Sequence, residues 1–227
     1  MVLIVALVMA QSPKFVHEVT ASYQKQTMHG FTVYVSKAAR ANPADTDPAL
    51  DLLRDELAEV VALVPAKALA TLRTVPVFIE NNNPGFPCAA YHPSKDWLKE
   101  NGYNLDKARS VEISNPKNFV AWVKLNQPLM VLHEMAHAYH DIKFGFSDPY
   151  IGAVYKLAQT SGTYDDVGHN RGGTRRHYGL NNQQEFFAEA TEAYFGENDF
   201  YPFNRAQLRA HDPKAAEMVE WAWGASG

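Results

Sequence analysis

A chain of 227 residues suits one large domain or two small ones, and its 46% hydrophobic content is enough for a packed core. Its 25 acidic and 21 basic residues leave a net charge of -4, which carries no electrostatic footprint for nucleic acid or for an anionic membrane. Twelve phenylalanines, eleven tyrosines and four tryptophans argue against disorder.

The opening MVLIVALVMA has ten residues without a charge and is followed by the polar QSPK. It is too short to span a bilayer but matches the hydrophobic part of a secretory signal, with Val8 and Ala10 as small residues before a cut. This predicts a secreted or periplasmic protein whose mature chain starts near Gln11, although the basic n-region of such a signal is missing. A buried first strand is the alternative reading. The one cysteine, Cys88, cannot form an internal disulfide and says nothing about the compartment.

Farther on, FTVYVS (Phe31 to Ser36) alternates and is rich in β-branched and aromatic residues, which predicts a strand. A helix follows, with Leu50, Leu53, Leu57, Val60, Val61 and Val64 on one stripe and Pro48 in its first turn. VPVFIE and SVEIS (Ser110 to Ser114) read as two further strands. Between them lies a long segment dense in turn residues. Beyond Asn126 the pattern is helical: LMVLHEMAHAYHDIKFG, PYIGAVYKLAQTSG, NNQQEFFAEATEAYFG and PKAAEMVEWAW. The expectation is an α+β fold in one domain over residues 11–227, with a small mixed sheet up to about residue 125 and a helical half after it.

His133, Glu134 and His137 form H-E-x-x-H. On a helix the two imidazoles share one face about 6 Å apart along the axis, close enough for both to reach one zinc ion while Glu134 projects beside it. A catalytic zinc needs a third protein ligand and an open position. The metzincin pattern is excluded because His140 and Lys143 stand where it needs Gly and His. His140, three residues past His137, would crowd a metal bound by the same helix and suits a supporting or core role. Asp165 lies in SGTYDDVGH, which partly resembles the G-T-x-D loop of aspzincin peptidases, although an ordinary polar turn explains it too. Glu185, Glu189 and Glu192 fall at i, i+4 and i+7 and share one helical face. Asn182 followed three residues later by Glu185 is also a capping-box signature.

HEMAH followed by NNQQEFFAEA resembles the gluzincin zinc peptidases of the anthrax lethal factor group, over roughly Gln127 to Phe195. The resemblance implies a zincin-like fold and a zinc-dependent peptidase, an endopeptidase or else an aminopeptidase, with one catalytic Zn2+, acting on a peptide or protein. His133, His137 and Glu185 match its zinc ligands, and Glu134 its general base. Glu189 matches the carboxylate that hydrogen-bonds a ligand imidazole. Tyr178, seven residues before Glu185, matches the tyrosine that faces the substrate carbonyl oxygen. His177, Arg175 and Arg176 either assist Tyr178 or solvate its loop. SVEIS is the expected edge strand for the substrate, with no chemistry required of Glu112. Cys88 could cover the metal as a latency thiolate, against the commoner buried structural role, and His92 reads as a loop histidine. The alternatives to this reading are an aspzincin-type peptidase using Asp165, a zinc hydrolase of another amide, and a non-catalytic zinc-binding domain on a zincin scaffold.

Overall fold

The computed structural model describes residues 17–125 and 127–225; the signal-like segment and the start near Gln11 lie outside them. Strands β1 (Gln24–Met28) and β2 (Phe31–Val35) form an antiparallel hairpin. Its two turn residues, His29 and Gly30, both have positive φ, as a tight hairpin turn requires. A Cβ at Gly30 would come 2.7 Å from Arg73 Nε, the flexible end of a side chain that can shift, so the positive φ is what favours glycine there. In β2 the predicted alternation is realised, with Phe31, Val33 and Val35 buried.

Ser36 caps the short helix α1 (Lys37–Arg40), accepting a hydrogen bond from the Ala39 amide. Helix α2 (Pro43–Leu63) covers the stretch PADTDPALDLLRDELAEVVAL; Pro43 is its first residue, and Pro48 lies inside it rather than in the first turn. Leu53, Leu57 and Val60 are buried along the predicted stripe, followed by Val64 at the helix end, whereas Leu50 and Val61 are only partly covered. After α3 (Ala66–Leu72) comes β3 (Val77–Ile79).

The turn-rich segment that follows contains a strand and a helix that local pattern does not reveal, β4 (Ala89–His92) and α4 (Lys95–Glu100). The strand exists because it pairs antiparallel with β5 (Ser110–Ile113), Ala90 opposite Glu112. The sheet order is β1-β2-β3-β5-β4, with β2, β3 and β5 parallel and an antiparallel strand at each edge. The expected edge role of SVEIS is therefore corrected: β5 is an interior strand with all four residues buried, and the edge is β4.

Glu112 is fully buried and serves structure. It accepts hydrogen bonds from Asn83 (2.5 Å), Lys107 (2.8 Å) and Ser114 (3.0 Å), with His92 Nε2 at 2.9 Å. Burial alone would raise its pKa, but the His92 hydrogen bond and the Lys107 charge outweigh it and hold the carboxyl at about 2. Lys107 also bonds Glu80, itself bonded by Tyr23. His92 is thus a buried residue at the end of β4 rather than a loop histidine.

The second half comprises α5 (Pro116–Leu125), α6 (Met130–Lys143), α7 (Pro149–Ser161), a small hairpin of β6 (Val167–Gly168) and β7 (Thr174–Arg175), a 3-10 turn (Tyr178–Asn181), α8 (Gln183–Phe195), α9 (Arg205–His211) and α10 (Pro213–Trp223). Every residue of α8 from Phe186 to Phe195 is buried, because α6, α7, α9 and α10 all pack around it. One hydrophobic core runs from the sheet through α2 and α6 to α10. The molecule is a mixed α/β fold with its small mixed sheet in the N-terminal half. No helix among the described residues is long and apolar enough to cross a membrane.

Candidate metal centre

Helix α6 lies between β4 and β5 on one side and α8 on the other, which buries His133 and His137. His133 Nε2 is 3.1 Å and His137 Nε2 3.4 Å from the same oxygen, Oε2 of Glu185. One ligand atom from each of the three residues lies within 4.8 Å of the others. Glu185 is the third residue of α8, and its amide donates to Asn182 Oδ1 at 2.9 Å. The helix start is capped as the sequence suggests, and the Glu185 carboxylate is nonetheless directed at the imidazoles.

The imidazole N–H expected to donate to Glu189 meets Glu192 instead. Glu192 Oε1 lies 2.5 Å from His133 Nδ1, and Glu189 Oε1 is 3.8 Å away. Gln127 Nε2 donates to the same Glu192 oxygen at 3.1 Å. Glu189 is buried behind them, and burial followed by the Glu192 charge keeps its carboxyl well above the usual range. Spacing alone could not choose between the two acids, since both lie on one stripe and the offset of α8 against α6 decides which meets the ring.

The donor set fits a zinc ion. With Nδ1–H of His133 donated to Glu192, the other nitrogen presents a lone pair to a carboxylate oxygen, which is repulsive unless a proton or a cation lies between. Burial disfavours the imidazolium, but the Glu192 charge and the hydrogen bonds to Glu185 and Glu192 raise the His133 pKa well above its ordinary value. Burial likewise opposes ionisation of Glu185, and the hydrogen bonds from His133 and His137 hold its pKa low. Two imidazole nitrogens and one carboxylate oxygen match the ligand types of a three-residue catalytic zinc site.

Glu134 projects from the same helix, and its Oε2 accepts the Tyr91 amide of β4 at 2.8 Å, which ties the edge strand to the centre. Both line a cavity of about 630 Å³ together with the three candidate ligands and Tyr178. Tyr178 is 45% exposed, and burial followed by the Glu185 charge raises its pKa, so the ring carries a hydroxyl able to donate. His177 does not solvate this loop. It is buried, and its Nδ1 accepts the Gly179 amide at 3.0 Å, capping the turn that carries Tyr178. Burial lowers its pKa to about 3, so the ring is neutral. Arg176 donates to the Leu180 carbonyl at 3.0 Å, while Arg175 lines the cavity.

The remaining candidates lie elsewhere or do other work. His140 is fully buried against Phe146 and Phe187, neither ring nitrogen has a hydrogen-bond partner among the described residues, and burial lowers its pKa to about 4. Asp165 is exposed in the turn after α7, outside the His133–His137–Glu185 cluster. Cys88 is buried with Sγ 3.2 Å from Met130 Sδ, and burial pushes its thiol up to about 12, which does not suit a latency thiolate.

Sequence reasoning missed Glu192 as the histidine's partner, the Tyr91 amide and the wall built by His169, Asp199 and the β6–β7 hairpin. His169 Nε2 lies 3.6 Å from Asp199 Oδ2, and burial followed by the Glu192 charge raises Asp199 to about 7. The stretch HNRGGTRR carries only turn signals, so nothing in its local pattern marks it as part of a cavity. Comparison with protein-family models, with curated proteins and with solved structures found no match.

Proposed function

We propose that this chain is a zinc-dependent peptidase of the gluzincin type, an endopeptidase in which His133, His137 and Glu185 hold one Zn2+. The observation that carries this reading is the convergence of both Nε2 atoms of α6 on one Glu185 oxygen, beside Glu134, in an open cavity. Zinc bound there supplies Lewis acidity toward a carbonyl group and a water nucleophile. Glu134 takes the proton from the attacking water and later delivers it to the leaving amine. The Tyr91 amide engages one of its carboxylate oxygens and leaves the other for that proton. The Tyr178 hydroxyl donates to the carbonyl oxygen as negative charge develops on it. Edge strand β4, rather than the interior strand β5, supports an extended peptide by main-chain pairing.

The test is bound zinc per chain by elemental analysis, on the wild type and on Glu185→Ala and Asp165→Ala, followed by cleavage of a peptide library. Loss of zinc in Glu185→Ala alone, with library cleavage that disappears in Glu134→Gln, is the expected result. Loss in Asp165→Ala alone would transfer the site to the aspzincin arrangement. A wild type that binds no zinc at micromolar concentration would overturn the proposal.

A further inference from the structure

The cavity has one wall to which the proposed chemistry assigns no task. The β6–β7 hairpin pairs Val167 with Arg175 and Gly168 with Thr174, and its turn closes through Gly172 and Gly173, both at positive φ. It is pinned to the segment behind it: the Asn170 amide donates to Asp199 O and the Tyr201 amide to Gly168 O, each at 2.8 Å. His169 Nδ1 accepts the Arg171 amide at 3.1 Å. The backbone that carries Arg171 and Arg175 is therefore held against the site rather than left as a free loop.

Among the described residues lining the cavity, Arg171 and Arg175 are the only lysines or arginines. Arg175 is exposed and has no carboxylate within ion-pair distance among the described residues. Four carboxylates line the same cavity: Glu134 accepts the Tyr91 amide, Glu185 faces the two imidazoles, Glu189 is buried, and Asp199 lies 3.6 Å from His169 and feels the charge of Arg175. Ala89 and Ala90, which also line the cavity, offer small apolar side chains and no charge. Among the described lining side chains, selection for an anionic group falls to the hairpin arginines.

We propose that Arg175, with Arg171 beside it, forms a carboxylate-binding subsite, so that the preferred peptide carries a carboxylate close to the bond that is cut. This inference rests on the peptidase reading and names its substrate class. A guanidinium meets a carboxylate through two parallel N–H donors, which selects for that group over an isosteric amide. At a partly solvated rim the preference is expected to be about tenfold and to weaken with salt.

The test uses the full zinc-loaded chain and matched peptides that differ only in Asp, Asn or Lys at each position flanking the cleaved bond, each made with a free and an amidated C-terminus. Two readouts are taken: kcat/KM, and the Kd for the Glu134→Gln protein by fluorescence anisotropy. The expected result is an Asp-over-Asn ratio of about ten at one position, close to one in Arg175→Ala, smaller than wild type but still above one in Arg175→Lys, which keeps the charge without the two-pronged donor, and turned toward Lys in Arg175→Glu. A preference for the free over the amidated terminus, with the same dependence on Arg175, supports the subsite with the chain terminus as the source of the carboxylate. Equal values for all peptides, or a preference unchanged in Arg175→Glu, would overturn the subsite while leaving the peptidase reading intact. Charge-selective binding without any cleavage would do the opposite, and absence of both would remove both.

Discussion

His133 Nδ1 lies 2.5 Å from Glu192 Oε1, and that single contact fixes which nitrogen of His133 is left to face Glu185. A carboxylate behind a metal-binding imidazole sets the tautomer, orients the ring and raises its basicity. Glu192→Gln is therefore expected to weaken zinc binding by about ten- to a hundredfold, measured by competition with a chromophoric chelator. Glu189→Gln should change it far less, because Glu189 stands 3.8 Å from the ring. A larger effect at Glu189 than at Glu192 would refute the assignment.

In the proposed reaction, Glu134 and Tyr178 take part in the chemistry and not in the ligand set. Glu134→Gln should keep the full zinc stoichiometry and lower kcat by about 10²- to 10⁴-fold. Tyr178→Phe should also keep zinc and lower kcat by about 10²-fold with little change in KM, since a donor to developing charge acts in the transition state. Single-turnover kinetics with parallel zinc analysis separates these outcomes from loss of the metal.

Lys107 is buried between two buried carboxylates, Glu80 and Glu112. Removing the cation leaves both without its charge, so Lys107→Met should destabilise the fold by about 3–5 kcal/mol in urea unfolding. The double variant Lys107→Met with Glu80→Gln should recover part of that loss, because one of the uncompensated charges goes with it.

Glu56 is buried on α2 and accepts the Val131 amide at 3.3 Å. Burial pushes its pKa from 4.5 to about 8, outweighing that hydrogen bond. The folded protein then holds this proton more tightly than the unfolded chain, so the contribution to stability is full below pH 4.5 and falls as pH rises toward 8. Each pH unit within that window costs at most about 1.4 kcal/mol. Glu56→Gln removes the dependence, so its melting temperature should exceed that of the wild type by a margin that grows from pH 5 to pH 9. A constant margin would show that the carboxyl is ionised in the fold at all these values.

The helical face that brings His133, Glu134 and His137 together was legible in the sequence, because a period of 3.6 residues is a local property of one helix. The alternation of β2 and the shared face of Glu185, Glu189 and Glu192 on α8 could be read in the same way. The partners that complete the centre depend on contacts between distant segments. That Glu185 rather than Asp165 meets the imidazoles, and Glu192 rather than Glu189 the ring nitrogen, follows from how α8 crosses α6. β4 becomes a strand through its pairing with β5, and that pairing also moves SVEIS from the edge to the interior. Arg175 reaches the cavity because Asp199 and Tyr201 pin its hairpin there. Side-chain periodicity records which residues share a face, whereas the meeting of two faces is set by packing summed over the whole core, and no short stretch of sequence carries that sum.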